Sequence, residues 1–397
     1  MNRRSLLTAS AASGLALASS AQAADTTNTN ADASNPGPDN PSLLGQFPSS
    51  FTAPDTDHGD VPNLWFPFSQ AHRRIEAGGW SRQVTVQDFP VAKSIAGVNM
   101  RLTVGGIREL HWHLPAEWAF MLTGRAQITS VDQDGRNFVA NVGPGDLWYF
   151  PSGIPHSIQG LEPDGCEFLL AFDDGKFSEF DTLSISDWFA HTPKEVLAKN
   201  FSVDPTIFAD IPKKELYIFQ GKVSSAQPTA HGGPDVVAQP FNFSLGSKAP
   251  DFQTKSGAVR IADSRNFPIS KTIAAALVNV SPGGMRELHW HPNADEWQYW
   301  IGGQARMTVF TAGGRARTFD FHPGDVGYVP RGMAHYIENT GLDDVRYLEL
   351  FNSSYYSDVS LSNWMAGTPH DLVAQHLHVS QGFVDGLPRQ KHPVVPA

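Results

Sequence analysis

The hexapeptide Arg108-Glu109-Leu110-His111-Trp112-His113 returns unchanged as Arg286-Glu287-Leu288-His289-Trp290-His291, 178 residues later. A fixed offset of this kind marks a repeated structural unit, and it constrains the fold more than any local propensity can. Downstream, Pro144-Gly145-Asp146 returns as Pro323-Gly324-Asp325, and Pro151 with His156 returns as Pro330 with His335, all at an offset of 179. The chain is a tandem duplication. Its 397 residues also exceed what a single core usually supports, so two domains of one kind are expected.

Both halves read as β. The runs Trp118 to Val131 and Trp297 to Phe310, then Leu147 to Pro151 and Val326 to Pro330, are aromatic or β-branched and broken by Gly, Asp and Pro. Each half closes with a helix signal. Thr192-Pro193-Lys194-Glu195 reads as an N-cap Thr, a first-turn Pro and a capping-box Glu, and Thr368-Pro369-His370-Asp371 approximates it. Each unit is therefore expected to be a β-barrel followed by helix, with the first domain at residues 46–235 and the second at 236–397.

The charge balance narrows the partners. Lys and Arg total 29 against 40 Asp and Glu, a net charge of -11, which argues against nucleic acid and anionic membrane. The single cysteine, Cys166, excludes an intrachain disulfide framework and any thiolate-clustered metal centre. It opens the apolar run Cys166 to Phe172 and reads as a buried thiol in a strand. No Ser or Cys sits in an activation motif of the G-x-S-x-G kind.

At the start of the chain, Arg3 and Arg4 precede an Ala/Leu/Ser stretch that ends in Ala21-Gln22-Ala23, the pattern of a signal peptide over residues 1–23. The adjacent arginines resemble a twin-arginine signal, and ordinary secretion stays open as the alternative. The expectation is an exported protein, periplasmic or secreted, and soluble after cleavage. Residues 24–45, rich in Asn, Asp, Thr, Ser and Pro, read as a flexible leader.

Residues two apart in a strand point the same way, so His111 and His113 present both imidazoles on one face, as do His289 and His291. A carboxylate follows on the next stretch, Glu117 or Glu296, and a third imidazole arrives from a separate hairpin, His156 or His335. One such His pair is more often structural than ligating. The whole constellation recurring twice points instead to two metal sites. Three neutral imidazoles and a carboxylate leave an octahedral divalent ion with two open positions, as catalysis requires, and this donor set accepts Mn, Fe, Zn, Ni or Cu.

With Gly105 or Gly106 and Gly283 or Gly284 ahead of the histidines, these motifs resemble the paired motifs of the cupins, which are double-sheet jelly rolls. Two of them in one chain, each followed by Ala116-Glu117-Trp118 or Asp295-Glu296-Trp297, resemble the bicupin oxalate decarboxylase family from about Leu64 to Leu377. That resemblance implies an all-β bicupin, two manganese ions per chain, dioxygen as co-catalyst, oxalate as substrate and a homo-hexamer.

The two halves differ after the last ligand strand. Phe172 to Trp188 takes 16 steps where Phe351 to Trp364 takes 13, so the first half carries a three-residue insertion. The insertion lies in a polar, Gly-containing segment suited to a surface loop able to cover a pocket. The family places a Ser-Glu lid there. Ser178, Glu179 and Thr182 match it, while Phe180 and Asp181 replace its usual Asn and Ser. The resemblance makes Glu179 the residue that takes the substrate proton and returns it after carbon dioxide leaves. It also makes Arg108 and Arg286 substrate-binding, and it places the main turnover in the first half. Three residues separate Arg108 from His111, so a bulge or turn near Gly105-Gly106 is needed to bring both onto one face. Glu349, fourteen residues after His335 where the first half has Leu170, is a secondary acid candidate that tunes the second site. The competing expectations are an oxalate oxidase releasing hydrogen peroxide, and a metal-binding bicupin without turnover.

Overall fold

The computed structural model describes residues 40–229 and 235–396. The expected signal peptide, and residues 24–39 of the expected leader, lie outside the described residues. The end of that leader is helical, over Pro41–Gln46.

Each repeat builds two antiparallel sheets that face one another around the metal ligands. In the first, a seven-stranded sheet places Asn242–Phe243, Leu147–Phe150, Glu117–Gly124, Cys166–Phe172, Ala96–Leu102, Gly79–Val84 and Arg73–Glu76 side by side. A six-stranded sheet centres on Gly106–Trp112 between Leu183–Ser184 and His156–Gly160. The second repeat copies both, with Glu296–Gly302 and Val345–Phe351 in its larger sheet and Met285–Trp290 beside Ala334–Asn339 in its smaller one. The all-β, two-barrel architecture read from the repeat is the one observed. Among the described residues no helix is long and apolar enough to cross a membrane.

Period-two alternation sorts each strand's residues between two cores. Along Glu117–Gly124, Ala119 and Met121 turn into the first barrel, while Trp118 and Phe120 turn outwards and join Trp297, Tyr299 and Tyr328 of the second repeat in a shared cluster. Gly97 lets the two barrels come this close: a Cβ there would stand 2.5 Å from the Trp297 ring. Burying each such ring is worth about 1.5–3 kcal/mol.

Two short strands cross between the repeats. Trp65–Pro67 precedes the first motif yet pairs with Asp325–Val329, and Asn242–Phe243 follows the expected 235/236 boundary yet pairs with Leu147–Phe150. The helices begin one residue later than their capping signals imply. Pro193, not Thr192, caps Lys194–Phe201, because the Thr192 hydroxyl donates to the Trp188 carbonyl at 2.7 Å and closes the preceding helix. Thr368 does the same to Trp364 at 2.8 Å.

Candidate metal centres and active site

His111 lies in the Gly106–Trp112 strand with His113 just past its end, Glu117 opens the next strand, and His156 opens the strand hydrogen-bonded beside His111. His111 and His156 face each other in register, as do His289 and His335 in the second repeat. All eight residues are buried. In each set the four donor atoms lie within 4.8 Å of one another.

The imidazoles are pre-set as ligands. Nδ1 of His111 donates to the Glu109 carbonyl at 2.6 Å, that of His113 to Pro115 at 2.6 Å and that of His156 to Ile154 at 2.8 Å. In the second site the acceptors are Glu287, Ser357 and Met333. Each ring therefore turns an unprotonated Nε2 inwards, the tautomer that a metal takes up. Burial, then the neighbouring Arg108, pushes His111 well below its ordinary range, and burial with Arg286 does the same to His289.

The carboxylates are oriented from behind. Trp148 Nε1 donates to Glu117 Oε1 at 3.0 Å, and Gln298 Nε2 to Glu296 Oε1 at 2.7 Å. The other oxygen of Glu296 stands 3.0 Å from His291 Nε2 and 2.9 Å from His335 Nε2, and all three atoms are buried without a hydrogen-bond partner. Acceptors turned on one another in a buried site repel unless a cation sits among them, so both sites fit a divalent ion of borderline hardness.

Around the first site lies a closed cavity with room for about one water, lined by Arg108, His111, His113, Glu117, Glu179, Thr182 and Tyr217. Val98, Met100, Leu170 and Phe172 make its apolar wall. Arg108 shares this face with His111 because of a bulge, although not at Gly105-Gly106. Arg108 pairs with Ile158 and His111 with His156, so three steps on one strand oppose two on the other, and the extra residue falls at Glu109-Leu110. Arg286 and His289 repeat that shift.

The lid closes the cavity. Phe177 stacks on Phe172 at 3.6 Å and anchors its root, and Glu179–Asp181 form a single 3-10 turn after Ser178. Glu179 points inwards and is buried, its Oε2 accepting from Ser81 Oγ at 2.9 Å and its backbone N–H donating to Gln83 Oε1 at 3.2 Å. Burial raises its carboxyl above the ordinary range, against the lowering pull of Ser81, Arg108 and Arg74. The hydroxyl of Thr182 is buried without a partner and faces the same cavity.

The sequence matches the cupin family twice, over residues 67–207 and 243–385. It is 53% identical over 352 residues to the oxalate decarboxylase OxdC of Bacillus subtilis, covering 88% of this chain and 91% of that protein. The chain belongs to the bicupin oxalate decarboxylase family. A probable oxalate decarboxylase of Arthroderma benhamiae is 43% identical, over 90% of this chain and 87% of its own. A solved structure of the Bacillus subtilis oxalate decarboxylase, from a study of its Mn(II) centres, superposes with a TM-score of 0.87 at 51% identity, covering 91% of this chain and 96% of that one.

Within this bicupin frame the two sites differ at the repeated arginine. Arg286 is fully buried and its donors are taken: Nε reaches Glu349 at 3.4 Å, and Nη2 reaches Tyr356 Oη at 2.8 Å and Asp358 at 2.7 Å. Lys391, from the C-terminal segment, closes on the other oxygen of Asp358. Protein carboxylates thus already occupy the guanidinium of Arg286, the counterpart of Arg108. Glu349 does lie beside that site, with its carboxyl raised by burial and one oxygen without a partner. Sequence reasoning missed Ser81, Tyr217, Trp148, Asp358 and Lys391. It also missed the task of the repeated Glu, since Glu109 accepts from the backbone of Tyr217 at 2.6 Å and so holds that ring near Arg108. Only Gln298, two residues after Glu296 on the same face, carried a local signal.

Proposed function

We propose that this chain decarboxylates oxalate to formate and carbon dioxide in its first site. The observation that carries the reading is Glu179, a buried lid carboxyl facing the same closed cavity as Arg108 and one complete ligand set. His111, His113, Glu117 and His156 would hold manganese there, as the second set would in the other barrel. Bound there, manganese with dioxygen as co-catalyst would supply the one-electron withdrawal that weakens the carbon-carbon bond.

The chain's own groups do the rest. Oxalate is larger than the closed cavity, so it enters with the lid open. Arg108 pairs with a carboxylate of the substrate and stabilises negative charge through the reaction. Glu179 takes the proton of hydrogen oxalate and returns it to the carbon left when carbon dioxide departs. The apolar wall and Phe177 keep water from supplying that proton instead. The second site, with Arg286 paired internally and no lid, supports the fold and holds metal.

Export through the Arg3-Arg4 segment and assembly as a hexamer belong to this reading. Exposed Trp188, Phe201 and Ile207 on the first repeat's helical segment, and Trp364, Leu372 and Phe383 on the second's, support burial against further copies. Product analysis after adding oxalate tests the function. Formate with at most traces of peroxide supports it, whereas peroxide with two carbon dioxide molecules per oxalate would assign the chain to oxidation.

A further inference from the structure

Proton transfer by Glu179 requires the lid to stay shut while the carbon-carbon bond breaks, and Glu179 itself is held by residues of the barrel edge. Ser81 and Gln83, the hydrogen-bond partners of Glu179, lie on the Gly79–Val84 strand. The edge strand Arg73–Glu76 pairs with it, and Arg74 stands directly opposite Ser81. Arg74 Cζ lies 3.7 Å from the Tyr217 ring centroid and 5.9 Å from that of Phe180. Tyr217 Oη is 2.7 Å from Ser81 Oγ, so the ring stacked on Arg74 also fixes the hydroxyl that holds Glu179. Arg74 is itself tied down by Glu76 and Glu215, each at 2.9 Å. Its remaining Nη1 is buried without a hydrogen-bond partner.

We propose that Arg74 is a positioning residue for Glu179: with Tyr217 behind the lid and Phe180 upon it, Arg74 latches the lid shut and thereby sets how oxalate divides between formate and peroxide. The inference rests on the decarboxylase reading above and names a determinant of its product specificity. Phe180 stands where the resemblance expects Asn, and a ring over a guanidinium is a contact that Asn cannot make. The chemistry balances on both branches. Oxalate dianion plus one proton gives formate and carbon dioxide. On the other branch oxalate passes two electrons to dioxygen, which takes two protons and leaves as hydrogen peroxide beside two carbon dioxide molecules. A lid that opens early removes the Glu179 proton and favours the second branch.

The test uses the full-length metal-loaded protein with Arg74→Gln, Arg74→Lys, Phe180→Ala and the Gln/Ala double variant. Two quantities are read: the formate to peroxide ratio, and hydrogen exchange of the 174–182 segment. Arg74→Gln and Phe180→Ala are each expected to lower the ratio by roughly 5- to 30-fold and to speed exchange in that segment alone. Arg74→Lys restores part of both, and the double variant is no worse than Arg74→Gln. Should Arg74→Gln misfold, Phe180→Ala carries the test, its ring being 75% exposed. A ratio and lid exchange equal to wild type would overturn the proposal, as would exchange rising evenly through both barrels. Wild-type protein that releases no formate would instead overturn the decarboxylase reading on which it stands.

Discussion

Arg108 and Arg286 hold the same place in the two barrels, each three residues before the first metal-site histidine, yet only Arg286 is paired with protein carboxylates. Its guanidinium reaches Glu349 at 3.4 Å and Asp358 at 2.7 Å, whereas Arg108 donates to the Tyr217 carbonyl at 3.2 Å and faces the lid cavity. One guanidinium is neutralised by protein carboxylates and the other is not.

Replacing them should therefore separate stability from activity. Removing one partner of a buried ion pair costs about 3–5 kcal/mol. Arg286→Met is expected to lower the melting temperature strongly. Arg108→Gln should abolish formate release with a much smaller change in melting. Equal melting losses in the two variants would contradict this division.

The two ligand sets are independent in space, so each should lose its own ion. His156→Ala and His335→Ala are each expected to bring metal content, measured after desalting, from two ions per chain to about one. Loss of both ions from either single variant would show that the sites do not bind separately.

Glu179 trades stability for function in a pH-dependent way. Burial raises its carboxyl above the value in the unfolded chain, so the folded protein binds this proton more tightly. The fold is thus destabilised as pH rises from the ordinary carboxyl range through the folded value. Glu179→Gln, which cannot ionise, should gain melting temperature relative to wild type between pH 4 and pH 7. A difference that shrinks over that interval would contradict the assigned direction.

Cys166 is fully buried in its strand and burial pushes its thiol up to about 12. Native protein should resist alkylation through about pH 10 and react only after unfolding, when the thiol regains an ordinary value near 8.5. Rapid labelling of the native chain at pH 8 would show that the strand opens.

How much of this was legible follows from how far each signal travels along the chain. The eight ligands were readable because strand alternation and duplication are local patterns written twice. The need for a bulge between Arg108 and His111 was readable from parity, but its place was not, since Glu109-Leu110 bulges against His156–Gly160, whose register only the folded sheet sets. Ser81 reaches Glu179 across 98 residues and Tyr217 across 136, and no spacing rule connects them. The quenching of Arg286 was hidden for the same reason, because Lys391 arrives from the far end of the chain.

The central claim is that Glu179 moves the proton that turns oxalate into formate. The most direct measurement is formate release by Glu179→Gln alongside its metal content. The account predicts two ions per chain and a rate lower by about 10²–10⁴. Wild-type formate production from the fully loaded variant would contradict it.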